Sequence, residues 1–405
     1  MTERAGAAPR LPAGFWAWVA AAAVSDAGVA ALYVALGWAA TSYGGTAAGL
    51  VVATITATRT LLLLVGGTVA DRFGARVVML AGDGLLLLTT GLLAIAAIVL
   101  DTPLWLLFLA AAVEGLVSAF YLPASSSMTR RLVDPDMVGR ASALRGATSE
   151  AAELVGSPIG GLLVAAGGFG LAAGVDALTY VPIVVVMLVL RPRRVPEEEQ
   201  IRQSLWRAAA SGVVLVARHP VLRVAIGLTA LAAGAVVSVA TLLIPLVVRS
   251  NGWPPTSSGL LLAASSVSGI VVALLVSRLG TAHRASLVAT AGLLTTAAGL
   301  VLLGISSTLP LAILAIFAAG GGVTVFTSHT FAVILQQSPD SHLSRVQSLL
   351  SLAQAAVLVP AAPLLGRLAA TAGTTFTLGV AGTALALVAT AALAAPDWRR
   401  LGTND

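Results

Sequence analysis

The chain has 405 residues, 58% hydrophobic and 10% charged, with a formal net charge of +6, no cysteine and no lysine. A soluble chain carries about 25% charged residues, so a mean hydropathy of +0.97 excludes a large water-soluble core. The lack of cysteine excludes disulfides, thiolate catalysis and cysteine-ligated metals.

Apolar runs of about 20 residues recur from end to end and predict transmembrane helices. The first, over 14–40, is too long and too polar at its middle for a cleaved leader, and it carries Asp26 and Tyr33. Helix 2 spans 46–69 with Arg59 inside it, and the stretch GTVADRFGAR (67–76) leads to helix 3 at 77–99, which holds Asp83. Helix 4 (103–127) holds Glu114, helix 5 (143–166) holds Glu150, Glu153 and GSPIGG at 156–161, and helix 6 (171–190) holds Asp176.

Residues 191–221 are rich in Pro, Arg and Glu and read as a cytoplasmic linker. Within it Ile201, Leu205, Ala209 and Val213 recur every four residues, which suits either a helix on the membrane surface or a connector packed under the bundle. Six further spans follow at 222–248, 256–277, 285–306, 309–335, 347–371 and 375–395; the tenth carries His329 amid Phe326 and Phe331. The expected fold class is an all-α polytopic membrane protein of twelve transmembrane helices. Its units are an N-terminal six-helix half (1–190), the linker (191–221) and a C-terminal six-helix half (222–405).

If the N-terminus is cytoplasmic, nearly all arginines fall on or near the cytoplasmic side, from Arg4 and Arg10 to Arg399 and Arg400. Arg249 falls on the other side with Arg367 near it, and Arg59 is left inside. This bias places both termini in the cytoplasm and explains the net charge without nucleic acid. The seven tryptophans read as lying at span ends or in a loop, where amphipathic rings prefer to sit.

The two halves repeat each other. TAAGLVV at 46 matches TSSGLLL at 256, and DPDMVGRASAL at 134 matches SPDSHLSRVQSL at 338. Without a gap from Arg140 and Arg345, Pro158 meets Pro363 and Gly161 meets Gly366. Two such parallel halves resemble the major facilitator superfamily. GTVADRFGAR resembles that superfamily's signature between helices 2 and 3, with Gly67, Asp71, Arg72, Gly74 and Arg76 in place and Ala75 at one usually basic position. Physically, Gly67 allows close approach, Gly74 a tight turn, and Asp71 suits the positive start of the next helix. Arg72 and Arg76 are placed to bind helix-end carbonyls or Asp71. The resemblance implies a cytoplasmic gate, which Asp83, Arg140 and Glu150 are expected to brace. GSPIGG resembles the antiporter motif of drug exporters, with Gly156, Gly160 and Gly161 for close packing and Pro158 one place later than usual. Most of the chain looks like the exporter branch that includes the enterobactin exporter and macrolide efflux proteins, which are proton-driven.

Ionisable residues inside a bilayer cost about 3 kcal/mol each on insertion scales, so each is a candidate for function. At 1.5 Å per residue, Asp26, Arg59, Glu114 and Glu153 fall near one depth, so neighbouring helices can bring one cation among several carboxylates. One carboxylate would be satisfied by the arginine, and another would take up and release a proton. Exporters of the superfamily often carry an arginine on helix 4 four residues before a glycine; here that position before Gly115 is Ala111, and Arg59 is expected to take over from helix 2. A static pair holding helices 1, 2 and 4 together is the competing reading. Asp176 is left open between gate and coupling.

The C-terminal half lacks buried carboxylates in its predicted spans. Tyr33, Phe326, His329 and Phe331 are therefore candidate walls of a substrate cavity, although a lone buried histidine also serves as a packing residue. The expectation is an exporter of small hydrophobic or amphipathic, drug-like compounds by proton antiport in a bacterial inner membrane. It needs no cofactor beyond the proton gradient, and its partners are a small-molecule substrate, protons and the bilayer, acting as a monomer. A dedicated exporter of a native metabolite such as a siderophore, and a transporter-fold sensor, are the alternatives. No nucleophile, base or metal set points to an enzyme.

Overall fold

The computed structural model describes residues 11–190, 216–280, 282, 284–338 and 343–399, and these are helical apart from short turns. α1 (Ala13–Thr41), α2 (Gly45–Phe73), α3 (Ala75–Leu100) and α4 (Leu104–Leu132) follow one another closely. Pro12 and Pro103 stand just before α1 and α4, where a missing N–H costs nothing. Gly74 separates α2 from α3 with a φ of 84°, the tight turn its position in the sequence predicts.

The next segment, Val138–Val189, has 52 residues. A straight helix of that length would run roughly 78 Å, against a hydrocarbon core of about 30 Å. It breaks at Gly167 and Gly168, and its arms are α5 (138–166) and α6 (169–189). The fold-back is visible on α1, where Gly156 of α5 packs on Ala27 while Asp176 and Thr179 of α6 pack on Gly28. Both arms thus lie against the same stretch of α1.

The second half comprises α7 (Pro220–Ser250), α8 (Thr256–Leu279), α9 (Ala285–Ile305), α10 (Leu309–Gln337), α11 (Leu343–Ala372) and α12 (Thr374–Ala394). A short α13 (Pro396–Arg399) follows. Eleven described segments are long and apolar enough to cross a membrane; counting the folded-back pair as two gives twelve spans among the described residues. α7 contains a π turn at Val239–Leu243, just before Pro245. Proline cannot donate to the carbonyl four residues back, so the ladder widens there.

Lipid-facing and core-facing sides differ in contact, not in polarity. On α3, Leu88, Leu92, Ile95 and Val99 are exposed at helical spacing, while Leu86, Thr90, Leu93 and Ala97 are buried. Trp18, near the start of α1, and Trp398, just past the end of α12, are fully buried in protein. Trp18 packs edge-on to Phe15, and the Trp398 indole N–H donates to Thr290 Oγ1 at 3.3 Å.

The two halves meet along two seams that repeat each other. A methyl at Gly259 of α8 would strike Ser157 and Pro158 of α5, and one at Gly49 of α2 would strike Ala362 and Pro363 of α11. Gly161 likewise packs on Pro255 and Thr256, and Gly366 on Gly45 and Gly49. These are the positions that the sequence repeat aligns. Small residues let helix backbones approach where lipid offers no hydrophobic driving force. Both seams lie toward the end of the bundle that carries the turns at 42–44 and 251–255.

Candidate functional site

A cavity of about 230 Å³ lies between the halves. Asp26, Tyr33, Ser149, Glu153 and Ser157 line it from α1 and α5, and Thr241, Pro245, Ser258 and Leu262 from α7 and α8. The π turn of α7 thus forms part of its wall. Packing of Gly37 against the Thr241 carbonyl closes the cavity toward the seams. Beyond it Arg249 of α7 crosses to α1, donating from Nε to Thr41 Oγ1 at 3.0 Å and from Nη2 to the Trp38 carbonyl at 3.2 Å. Its guanidinium also lies 4.5 Å from the centre of the Trp38 ring.

Asp26 is held by Arg145 of α5 in a two-pronged pair, Nη1 to Oδ2 at 2.7 Å and Nη2 to Oδ1 at 3.2 Å. This corrects the expected partner. Among the described residues Arg59 forms no ion pair, and Arg145 takes the place on Asp26 that Arg59 was a candidate for. Because α5 starts at Val138, Arg145 sits two turns inside the bundle and not at its rim. Glu153 is exposed at the cavity, and Glu150 is exposed on the same helix.

Arg59 is half-buried on α2, beside Gly115 of α4. A methyl on Gly115 would meet the backbone of Ile55 and Arg59, so that glycine seats α4 directly on the arginine's helix. Glu114 is buried at 3% exposure and Asp176 at 0%. They lie within electrostatic reach of each other and of Tyr33 and Tyr180. The cluster expected as one therefore divides: Asp26 and Glu153 at the cavity, Arg59 and Glu114 behind it.

At the opposite end from the seams, Arg76 donates from Nε to the Met187 carbonyl and from Nη2 to the Leu188 carbonyl, both at 2.8 Å. It satisfies the orphan carbonyls at the end of α6, where a cation is also favoured by the helix dipole. Arg72 is exposed and lies over Phe73, and Arg140 is exposed. The side chains of Gly67 and Asp71, and the amphipathic stretch from 201 to 213, lie outside the described residues. Asp83, two turns into α3, is buried at 1% exposure and lies within electrostatic reach of Asp26 and Tyr121.

In the GSPIGG stretch, Gly156 and Gly160 seat α5 on Ala27 and Ala31 of α1, and Gly161 seats it on α8; Pro158 lies under Gly259. The candidates in the second half separate. Phe326 is fully buried in the core. His329 is bound on both ring nitrogens: Nε2 accepts from the Ala282 N–H at 3.2 Å, and Nδ1 faces the Val325 carbonyl at 2.9 Å. It ties down the α8–α9 connection and lines neither cavity, which corrects its expected place in a wall. Phe331 lines a second cavity of about 420 Å³ with Thr229, Thr327, Ser328, Ile334, Leu350 and Gln354.

The chain matches the profile of the Major Facilitator Superfamily over residues 18–359 and 226–400. The chain belongs to that superfamily. A protein of Salmonella typhi named enterobactin exporter EntS is 25% identical over 339 residues, covering 80% of this chain and 78% of that protein. The protein of the same name from Shigella boydii serotype 18 is 26% identical over 300 residues, covering 71% of this chain and 68% of its own. Among solved structures, a mutant of nucleoside transporter NupG is similar with a TM-score of 0.78 at 12% identity, over 93% of this chain and 98% of that one. Peptide transporter POT in complex with sulfate is similar with a TM-score of 0.74 at 16% identity, over 96% of each chain. Those likenesses show the fold of superfamily transporters. The chain is a multi-pass membrane transporter of this superfamily.

Three charged or polar groups escaped the sequence reading. In the sequence Arg145 reads as one of the cytoplasmic-side arginines, Arg249 as a charge at the other side, and Tyr180 carries no motif. Arg145 and Arg249 act through partners more than a hundred residues away, and Tyr180 lies near Glu114 of another helix, which periodicity does not report.

Proposed function

We propose that this transporter exports small hydrophobic or amphipathic compounds, drug-like molecules among them, across a bacterial cytoplasmic membrane by proton antiport and alternating access. The observation that carries the reading is the cavity between the halves. Asp26, Glu153 and Tyr33 stand there in a wall otherwise apolar or hydroxyl-bearing. Such a wall accepts an apolar body, and its carboxylates favour a cationic or hydrogen-bonding head. With both termini cytoplasmic, the sealed end is the outer one and this conformation is the inward-facing form. The cycle runs on the proton gradient without a cofactor, and its partners are substrate, protons and the bilayer, with the chain acting as a monomer and without nucleic acid.

A second reading, a dedicated exporter of a native metabolite such as a siderophore, is favoured by the name of the relatives. One experiment tests both. Proteoliposomes loaded with a pH-sensitive dye are exposed to cationic and neutral hydrophobic drugs and to siderophores. Substrate-dependent proton movement with several drugs, lost in Asp26→Asn and in Glu153→Gln, is the expected result. Movement with siderophores alone selects the second reading, and proton movement independent of every carboxylate variant overturns antiport through this cavity.

A further inference from the structure

Behind the cavity, three polar side chains carry buried atoms that make no hydrogen bond. Among the described residues, Glu114 Oε1, both carboxylate oxygens of Asp176 and the Tyr180 hydroxyl make no hydrogen bond. Tyr180 is 1% exposed and lies close to both carboxylates, yet in this geometry bonds to neither. α1 covers the group tightly, since a methyl on Gly28 would stand 2.7 Å from Asp176 Oδ1.

An ionised carboxylate left unpaired in a bundle interior loses several kcal/mol of solvation, and two side by side lose more through repulsion. Every facing group enters the charge count. Tyr33 on α1 and Tyr180 on α6 stand within electrostatic reach of both carboxylates, and Arg59 on α2 within reach of Tyr33. Arg59 has no ion pair among the described residues. Asp83 on α3 neighbours Tyr180 and Asp26 and is counted with the Asp26–Arg145 pair. Two ionised carboxylates against the one guanidinium of Arg59 leave a net charge of −1. One proton shared between the carboxylates brings the group to neutrality.

We infer that Glu114 of α4 and Asp176 of α6 together hold one transported proton, and that Tyr33 links this pair to the substrate cavity. This deepens the antiport reading and rests on it for the word transported, while proton holding stands by itself. Tyr33 belongs to the cavity wall and also lies within electrostatic reach of Glu114, Asp176 and Arg59. Release moves the proton from the pair to water reaching it when α1 shifts off Asp176. The carboxylates then repel, Arg59 is drawn to one of them, and Tyr33 transmits the change to the wall. Tyr33 is a positioning residue in this scheme. Asp26, already satisfied by Arg145, is not the proton's main seat.

The test reads the proton directly. Infrared difference spectra of the substrate-free protein in lipid, recorded on changing pH, should show a protonated-carboxyl stretch present at neutral pH. Glu114→Gln and Asp176→Asn should each remove or displace it, whereas Asp26→Asn should leave it. Tyr33→Phe should keep the band while lowering the protons moved per substrate in proteoliposomes, a ratio that a merely structural change would not alter. A band unaffected by both Glu114→Gln and Asp176→Asn overturns the assignment, as does a pair that responds to sodium and not to pH. Monodisperse elution of each variant separates loss of the proton from loss of the fold. A band with the expected behaviour but no substrate-driven proton movement would sink the antiport reading and leave the proton site standing.

Discussion

Single residues here are decided by what they meet. Asp26 and Arg145 are 119 residues apart in sequence and join α1 to α5 through two hydrogen bonds. Their side chains are 25% and 16% exposed, so screening is partial. A two-pronged charge-assisted pair of this kind is worth about 1.5–3 kcal/mol. A double-mutant cycle of Asp26→Asn and Arg145→Gln, read by unfolding in detergent, should return a coupling in that range. Additive losses would mean that the pair is incidental. Arg59 is the contrasting case: its backbone is seated beside Gly115, its guanidinium lies within electrostatic reach of Tyr33, and it forms no ion pair among the described residues.

Elements are joined across the halves by backbone-to-backbone approach. Gly259 sits on Ser157 and Pro158, and Gly49 on Ala362 and Pro363, so the two seams obey one pseudo-symmetric rule. Because the chain has no cysteine, a Ser157→Cys, Gly259→Cys pair can be tested without background thiols. Oxidation should cross-link α5 to α8, stop transport, and be reversed by a reductant. Transport that continues at full rate in the cross-linked protein would show that this seam need not part. Arg249 adds a directional element, since its bonds to Thr41 and Trp38 exist only while α7 and α1 are together at that end.

For the whole molecule, the proposed orientation rests on the arginine distribution, with Arg249 and Arg367 nearly alone at one end. Epitope tags at either terminus should therefore resist protease added to right-side-out vesicles and be cut in inverted ones. Cleavage of either tag from outside would reverse the orientation and make the sealed end cytoplasmic. The cavity, the seams and the Arg249 contacts all lie between the halves, where the proposed rocking of one half against the other would act.

The sequence by itself determined the solvent, the twelve spans, the internal repeat and the turn at Gly74, because a bilayer demands long apolar helices and a tight turn demands glycine. Constant rise per residue also gives an expected depth for each ionisable residue. Which of them touch was decided only by the tertiary structure. Depth along a helix says nothing of azimuth when both lipid and protein neighbours are apolar, so no hydrophobic stripe marks the inner face of α3 or α5. Hence Asp26 meets Arg145 in place of Arg59, His329 turns to the α8–α9 connection and away from the cavity, and Glu114 finds Asp176. The seams lie between these cases: their glycines were legible as a repeat, but that the repeat packs against itself emerged only when two halves were set face to face.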